Sequence, residues 1–147
     1  MAEPAAVLYW DTSALLSFLF SDRYSTVTQK WAEEGKTHLL SSLAHAEACA
    51  VIARMTREQA IDAAQAATVR TAITSYPWRS LKGLPERDIV AGLAKKWPLR
   101  GADLWHLALA VSLQKDLPEL RLLTFDARLR EAATGEGIFP EGLNTLG

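Results

Sequence analysis

Four acidic residues of this chain stand where chemistry can be done. Asp11 follows directly on a short apolar run, Ala6 to Trp10. Asp103 opens an apolar segment just after Gly101, and Asp126 follows Leu122-Leu123-Thr124-Phe125. Taken singly, each of these three is an ordinary helix cap or first-turn acid, because the unpaired amides of a helix start attract a carboxylate. Glu47 is different. It lies four residues after Leu43 and four before Val51, inside the apolar stripe of its segment. It is not the third residue of a capping box from Ser42, since His45 holds that position. An acid turned inward is costly unless paired or ion-bound, and Arg54 is the alternative partner. Carboxylates crowded at one place repel and take up protons unless a divalent cation relieves them. Oxygen-only ligands favour Mg2+ or Mn2+ over zinc.

The elements that must position these acids follow from hydrophobic periodicity. Ala6 to Trp10 is apolar at every position, the pattern of a strand covered on both faces. Asp11 and its neighbours cap a helix over 12–20, and Ser21-Asp22 cap a second one that Gly35 stops. Thr37 to Leu40 predicts a strand, Leu43 to Met55 a helix, and Arg57 to Ser75 an alanine-rich helix ended by Tyr76-Pro77. A weak strand is expected near Trp78 to Leu81, then a helix with Pro85 in its first turn. After a turn at Arg100-Gly101, Ala102 to Lys115 is apolar almost all round and reads as a buried helix. Arg121 to Phe125 predicts a strand, Asp126 caps a last helix, and Gly137 to Pro140 suggests a short edge strand. Strands alternating with helices imply a three-layer α/β/α sandwich around a parallel sheet of four to five strands. Asp11, Asp103 and Asp126 then share the carboxyl edge of that sheet, where sites form in such folds.

Composition narrows the field. The 147 residues suit a single domain, with 49% hydrophobic and 22% charged residues and a net charge of -1. Nucleic-acid binding would therefore rest on a local basic patch, for which Arg79, Lys82, Arg87, Lys95, Lys96 and Arg100 cluster before Asp103. Cys49 is the sole cysteine, so an intrachain disulfide and a cysteine-based zinc site are excluded. No signal-peptide pattern or membrane-spanning run appears, and a cytoplasmic protein is expected. His106, one turn from Asp103, has two readings, acid–base helper or packed core residue, and the second is the commoner fate of a histidine in an apolar helix. His45 is read as structural in the same way. The first two helices are rich in large apolar residues, Leu15, Leu16, Phe18, Leu19, Phe20, Tyr24 and Trp31; a face entering the core accounts for most of them, and a leftover apolar groove would suit a partner helix.

Tyr-Trp-Asp11-Thr-Ser, Ser-Leu-Ala-His-Ala-Glu47, Gly-Ala-Asp103-Leu-Trp-His-Leu-Ala and Leu-Leu-Thr-Phe-Asp126 resemble, in order and spacing, the successive acidic motifs of PIN domains. The resemblance runs from the first strand to Gly137 and is nearest to VapC-type toxins of toxin–antitoxin pairs. It implies Mg2+- or Mn2+-dependent cleavage of RNA. By position, Asp11 and Asp103 would be the main metal ligands, Glu47 and Asp126 would complete the acidic site, and Ser13 and Thr124 would support it. It also implies an antitoxin protein as partner and a homodimer. Trp10 and Trp105 are bulkier than residues usual beside these acids. Two other α/β patterns, one of an enzyme and one of a signalling domain, fit less well. A phosphoaspartate hydrolase needs a second Asp where Ser13 stands, and a receiver domain needs paired early acids and a late lysine. A PIN-like scaffold that binds RNA or protein without cutting is the alternative from another class.

Overall fold

A computed structural model of the chain describes residues 7–34 and 37–140; Ala6 and the expected helix stop at Gly35 lie outside the described residues. The first strand, β1 (Val7–Trp10), is buried at every position, as its unbroken apolar pattern requires. Asp11 leaves it and caps α1 (Thr12–Leu19). The next helix, α2 (Ser25–Glu34), begins later than Ser21-Asp22 implies. The Asp22 carboxylate accepts the Tyr24 N–H at 2.8 Å while the Asp22 amide donates to the Ser25 hydroxyl at 2.9 Å, a local turn that replaces the first helical turn.

β2 (Thr37–Ser41) runs into α3 (Ser42–Arg57), whose cap is Ser41. The helix expected to begin at Arg57 begins instead at Ala63. The chain turns through Gln59 in a left-handed conformation (φ 59°), and Asp62 with Gln65 then closes a capping box on α4 (Ala63–Ser75). β3 (Trp78–Leu81) follows, then α5 (Arg87–Lys96), with Pro85 just ahead of its Glu86 cap rather than in its first turn. α6 (Gly101–Gln114), β4 (Leu120–Leu123) and α7 (Ala127–Gly135) complete the order.

The strands pair in parallel in the order β3-β2-β1-β4. Gly137 to Pro140 adds no fifth strand: the Leu122 N–H reaches the Ile138 carbonyl at 2.8 Å, but Gly137 sits at φ 75° and the ladder goes no further. Alternation along β1 divides the core. Val7 and Tyr9 join a cluster with Leu93, Leu107 and Leu129 from α5, α6 and α7. Leu8 and Trp10 turn to Ala14, Val27 and Trp31 of α1 and α2, and Leu40 carries that side on to Ala44, Ile52 and Val69 of α3 and α4. The result is the expected three-layer α/β/α sandwich. Its connections diverge at β1, which has β2 on one side and β4 on the other. The crevice beyond the carboxyl ends of β1 and β4 is thus the natural site of the fold. No described helix is long and apolar enough to cross a membrane.

Candidate active site

Where β1 and β4 end, their backbones stay joined. The Asp11 amide donates to the Leu123 carbonyl at 3.1 Å, so both chains leave the sheet at the same level. Asp11 is 2% exposed, and its Oδ1 accepts the Ala14 N–H and the Ser13 hydroxyl, each at 2.8 Å. The Ser13 hydroxyl also accepts the Phe125 N–H at 3.0 Å and lies 3.4 Å from the Thr124 hydroxyl. Thr124 in turn accepts the Asp126 N–H at 3.0 Å, and Asp126 caps α7 through the Leu129 N–H at 2.9 Å. Thr124 and Phe125, expected to extend the last strand, instead form the loop that ties it to Asp11. Ser13 and Thr124 are thus the stitches between the two acid-bearing turns.

Glu47 comes from the other side of the crevice. Its Oε1 accepts the Thr12 hydroxyl at 2.7 Å and lies 3.3 Å from Nε2 of His106. The expectation that Glu47 faces inward holds only in part, since its side chain is 35% exposed, and its partners are Thr12 and His106 rather than Arg54. His106 is buried, and its Nδ1 lies 2.8 Å from the Tyr9 hydroxyl. Burial lowers the His106 pKa against the opposing pull of Glu47, which favours the neutral ring. A neutral ring facing a carboxylate must carry its proton on Nε2, which leaves Nδ1 to accept from Tyr9. Burial also pushes the Tyr9 phenol up against an opposing hydrogen bond with Ser41, with the charges of Asp11 and Glu47 adding to the rise, so the phenol keeps its proton. Thr12 and Tyr9 went unsingled in the sequence. The signal for Thr12 was its place beside Asp11, while Tyr9 looked like any core residue of a buried strand.

Asp103 lies within electrostatic reach of each of the other three acids. Burial pushes the Asp11 carboxyl up to about 7, with the Thr124, Ala14 and Ser13 donors opposing and Asp103 adding repulsion. Asp103, half-buried in the first turn of α6, is raised by burial, then by Asp126 and Glu47, and is relieved in part by Arg100. Among the described residues no three acidic, histidine or cysteine side chains converge into a ready-made ion cage.

Arg79, Lys82, Arg87, Lys95, Lys96 and Arg100 are all exposed. Lys96 is engaged with Glu136 at 2.7 Å, and Arg100, whose charge reaches Asp103, stands nearest the acids in electrostatic effect. His45 is exposed on α3, about 4 Å from the Cys49 sulfur, and is not a core residue. Trp10 turns from the acids into the aromatic core, with its indole N–H on His38 at 3.0 Å. The large apolar residues of α1 and α2 are largely spent on the core. The exposed large apolar side chain among the described residues is Leu84, in a groove of about 330 Å3 that Trp105 also lines.

No curated protein matches the chain. Among solved structures, the chain is similar to PAE2754 from Pyrobaculum aerophilum, with a TM-score of 0.64 and 21% identity over 89% of this chain and 82% of that one. It is also similar to VapC20 of Mycobacterium tuberculosis, a sarcin–ricin loop cleaving toxin, with a TM-score of 0.56 and 14% identity over 85% of this chain and 94% of that one. Both likenesses bear on the fold. The PIN domain family itself matches residues 8–135, from β1 to the end of α7, and the chain belongs to that family.

Proposed function

We propose that this chain is a Mg2+- or Mn2+-dependent endoribonuclease, and that it acts in the cytoplasm as the toxin of a type II toxin–antitoxin pair. The observation that carries the reading is Asp11: a carboxyl buried at the divergence point of the sheet, repelled by Asp103 and held ready by Ser13 and the Ala14 amide. Such a group is unfavourable as an ion until a cation joins it. The donor set fits a hard divalent ion, and its spread fits one that keeps several waters, as Mg2+ does. Asp11 and Asp103 are the main ligands in this reading, with Glu47 and Asp126 completing the acidic site directly or through water.

A divalent ion held there supplies positive charge that makes a water nucleophilic and offsets charge on a phosphoryl group. The protein's own part is to fix the acids. Ser13 and Thr124 keep Asp11 and Asp126 on adjoining turns, and Thr12 with His106 holds one oxygen of Glu47. Arg100, Arg79 and Lys82 are the proposed phosphate contacts. A cognate antitoxin and a second copy of the chain are the protein partners that accompany this reading, and likeness in fold to a toxin supports it.

The test is RNA incubated with Mg2+, Mn2+ or EDTA. Wild-type protein is expected to cut only with an ion, and Asp103→Asn to fold normally and lose cleavage by at least ~1000-fold. Full ion-dependent cleavage by Asp103→Asn would refute its role. One observation favours a non-cleaving PIN-like scaffold that binds RNA or protein: the absence, among the described residues, of a preformed three-ligand cluster. Ion-dependent cleavage by the wild type overturns that alternative.

A further inference from the structure

We infer that Tyr9 and His106 are positioning residues that hold the Glu47 carboxylate, with Thr12 as a second clamp on the same oxygen. The inference rests on the nuclease reading, because it gives Glu47 work only where the acids hold an ion. The geometry is a directed chain. The Tyr9 hydroxyl lies 2.8 Å from Nδ1 of His106, Nε2 of His106 lies 3.3 Å from Oε1 of Glu47, and the Thr12 hydroxyl donates to that same Oε1 at 2.7 Å; a neutral ring with its proton on Nε2 makes Tyr9 the donor at one end and Glu47 the acceptor at the other. Two donors on Oε1 fix the rotation of the carboxylate. Its other oxygen, Oε2, accepts no hydrogen bond from the described residues, which leaves it for the crevice.

A histidine that merely fills space in α6 needs no such arrangement. His106 is 1% exposed, and both of its nitrogens are engaged with groups from other elements, Tyr9 of β1 and Glu47 of α3. The Tyr9 ring meets the imidazole edge-on, with centroids 5.8 Å apart and planes at 75°, and the Trp105 ring stands across it at 88°. Ring rotation is therefore resisted by packing as well as by hydrogen bonds. Polar groups one bond removed from an ion's ligands orient them and tune the affinity of the site. Here that shell is built from a buried phenol, a buried imidazole and a half-buried threonine.

The test uses the full chain and Mn2+ as the probe, with free Mn2+ counted by electron paramagnetic resonance in the absence of RNA. His106→Leu is expected to weaken Mn2+ binding by about 10- to 100-fold. His106→Gln, whose amide can donate near the Nε2 position, should recover most of the loss. Thr12→Val, at a half-exposed position, is the companion variant should His106→Leu not fold, and a several-fold loss is expected. Nitrogen-15 NMR of the imidazole should report the Nε2–H tautomer, and its Nε2 proton should move in Glu47→Gln. Wild-type Mn2+ affinity in folded His106→Leu or Thr12→Val overturns the inference when Glu47→Gln has lost affinity. So does an Nδ1–H tautomer. If wild-type protein neither binds Mn2+ nor cuts RNA, the nuclease reading fails instead, and the tautomer result still decides whether His106 holds Glu47.

Discussion

Tyr9 and Trp10 are neighbours on one strand, and each hydrogen-bonds a buried histidine on its own side of the sheet. Trp10 donates to Nδ1 of His38 at 3.0 Å, and Tyr9 bonds Nδ1 of His106 at 2.8 Å. The surroundings differ. His38 sits among the rings of Trp10, Tyr76 and Trp78, in a box where the indole N–H groups of Trp31 and Trp78 are buried without a partner among the described residues. Each such orphan costs roughly 1–3 kcal/mol, which the apolar area of the packed rings must offset. His106 instead ends on a carboxylate, within a web where Ser13, Thr12, Thr124 and Asp11 are all hydrogen-bonded. His106 is marked as part of the candidate site by its Nε2, which faces a carboxylate at the end of the sheet. Burial and aromatic contact alone do not distinguish the two.

The largest way to sharpen this contrast is to empty the aromatic side. Trp10 is fully buried and packs against Phe18, Trp31 and Trp78. Trp10→Ala should cost about 3–5 kcal/mol in urea unfolding, the usual loss for a large buried aromatic. Mn2+ affinity of the fraction still folded should stay near the wild-type value, because Trp10 turns away from the acids. A parallel loss of ion affinity would show the two sides to be one unit.

The acid side should reveal itself in pH dependence. In the fold, the Asp11 carboxyl gives up its proton at about 7 because it is buried; in the unfolded chain it does so near ~3.9. Between these values the folded chain holds a proton that the unfolded chain has released. Stability therefore falls as pH rises through that window and levels off above it. The loss is on the order of a few kcal/mol for a carboxyl so fully buried. Asp103, raised as well, acts in the same direction, whereas His106, lowered by burial, weakens the fold on the acid side. Asp11→Asn keeps a capping side chain and isolates the Asp11 contribution. The difference in stability between variant and wild type without metal should grow in the variant's favour from about pH 4 to about pH 8. Added Mn2+ should reverse that advantage, since an ion stabilises only the state that binds it. A difference that stays flat with pH would place Asp11 in a wetter setting than this structure gives it.

Much of this was legible in the sequence. The unbroken apolar run before Asp11 and the nearly all-apolar segment Ala102 to Lys115 marked β1 and α6, and acids after the first and last strands and at the start of α6 marked Asp11, Asp126 and Asp103 as candidates. What escaped has physical causes. The start of α4 falls at Ala63 instead of the earlier Arg57 because Arg57, Glu58, Gln59 and Ala60 are all good helix formers, and only Asp62 with Gln65 marked the true start. The strand expected at Gly137 to Pro140 fails because a glycine at positive φ aims the chain off the ladder after one bond. The tie from Tyr9 through His106 to Glu47 joins residues 97 and 59 positions apart, and no local periodicity encodes such contacts. Arg54, the partner expected for Glu47, stands two helical turns further along α3 and is exposed.

The smallest expected effect separates two basic positions. Arg100 caps α6 and its charge already relieves Asp103, whereas Arg79 lies on β3, the outer strand of the sheet, in register with Leu39. If RNA approaches the acids, its phosphates meet Arg100 before Arg79. Arg100→Ala, in the non-cutting Asp103→Asn background, should weaken binding of single-stranded RNA several-fold and reduce the slope of log affinity against log salt by about 1. Arg79→Ala should change the slope less. Arg100→Ala also removes a positive neighbour of residue 103, so in the otherwise wild-type chain ion affinity should rise or fall with the Asp103 charge rather than with RNA. Measuring Mn2+ binding without RNA separates these two roles. An Arg79 effect equal to that of Arg100 would move the RNA path outward along the β2–β3 edge, leaving the acids in place and the aromatic side still out of the reaction.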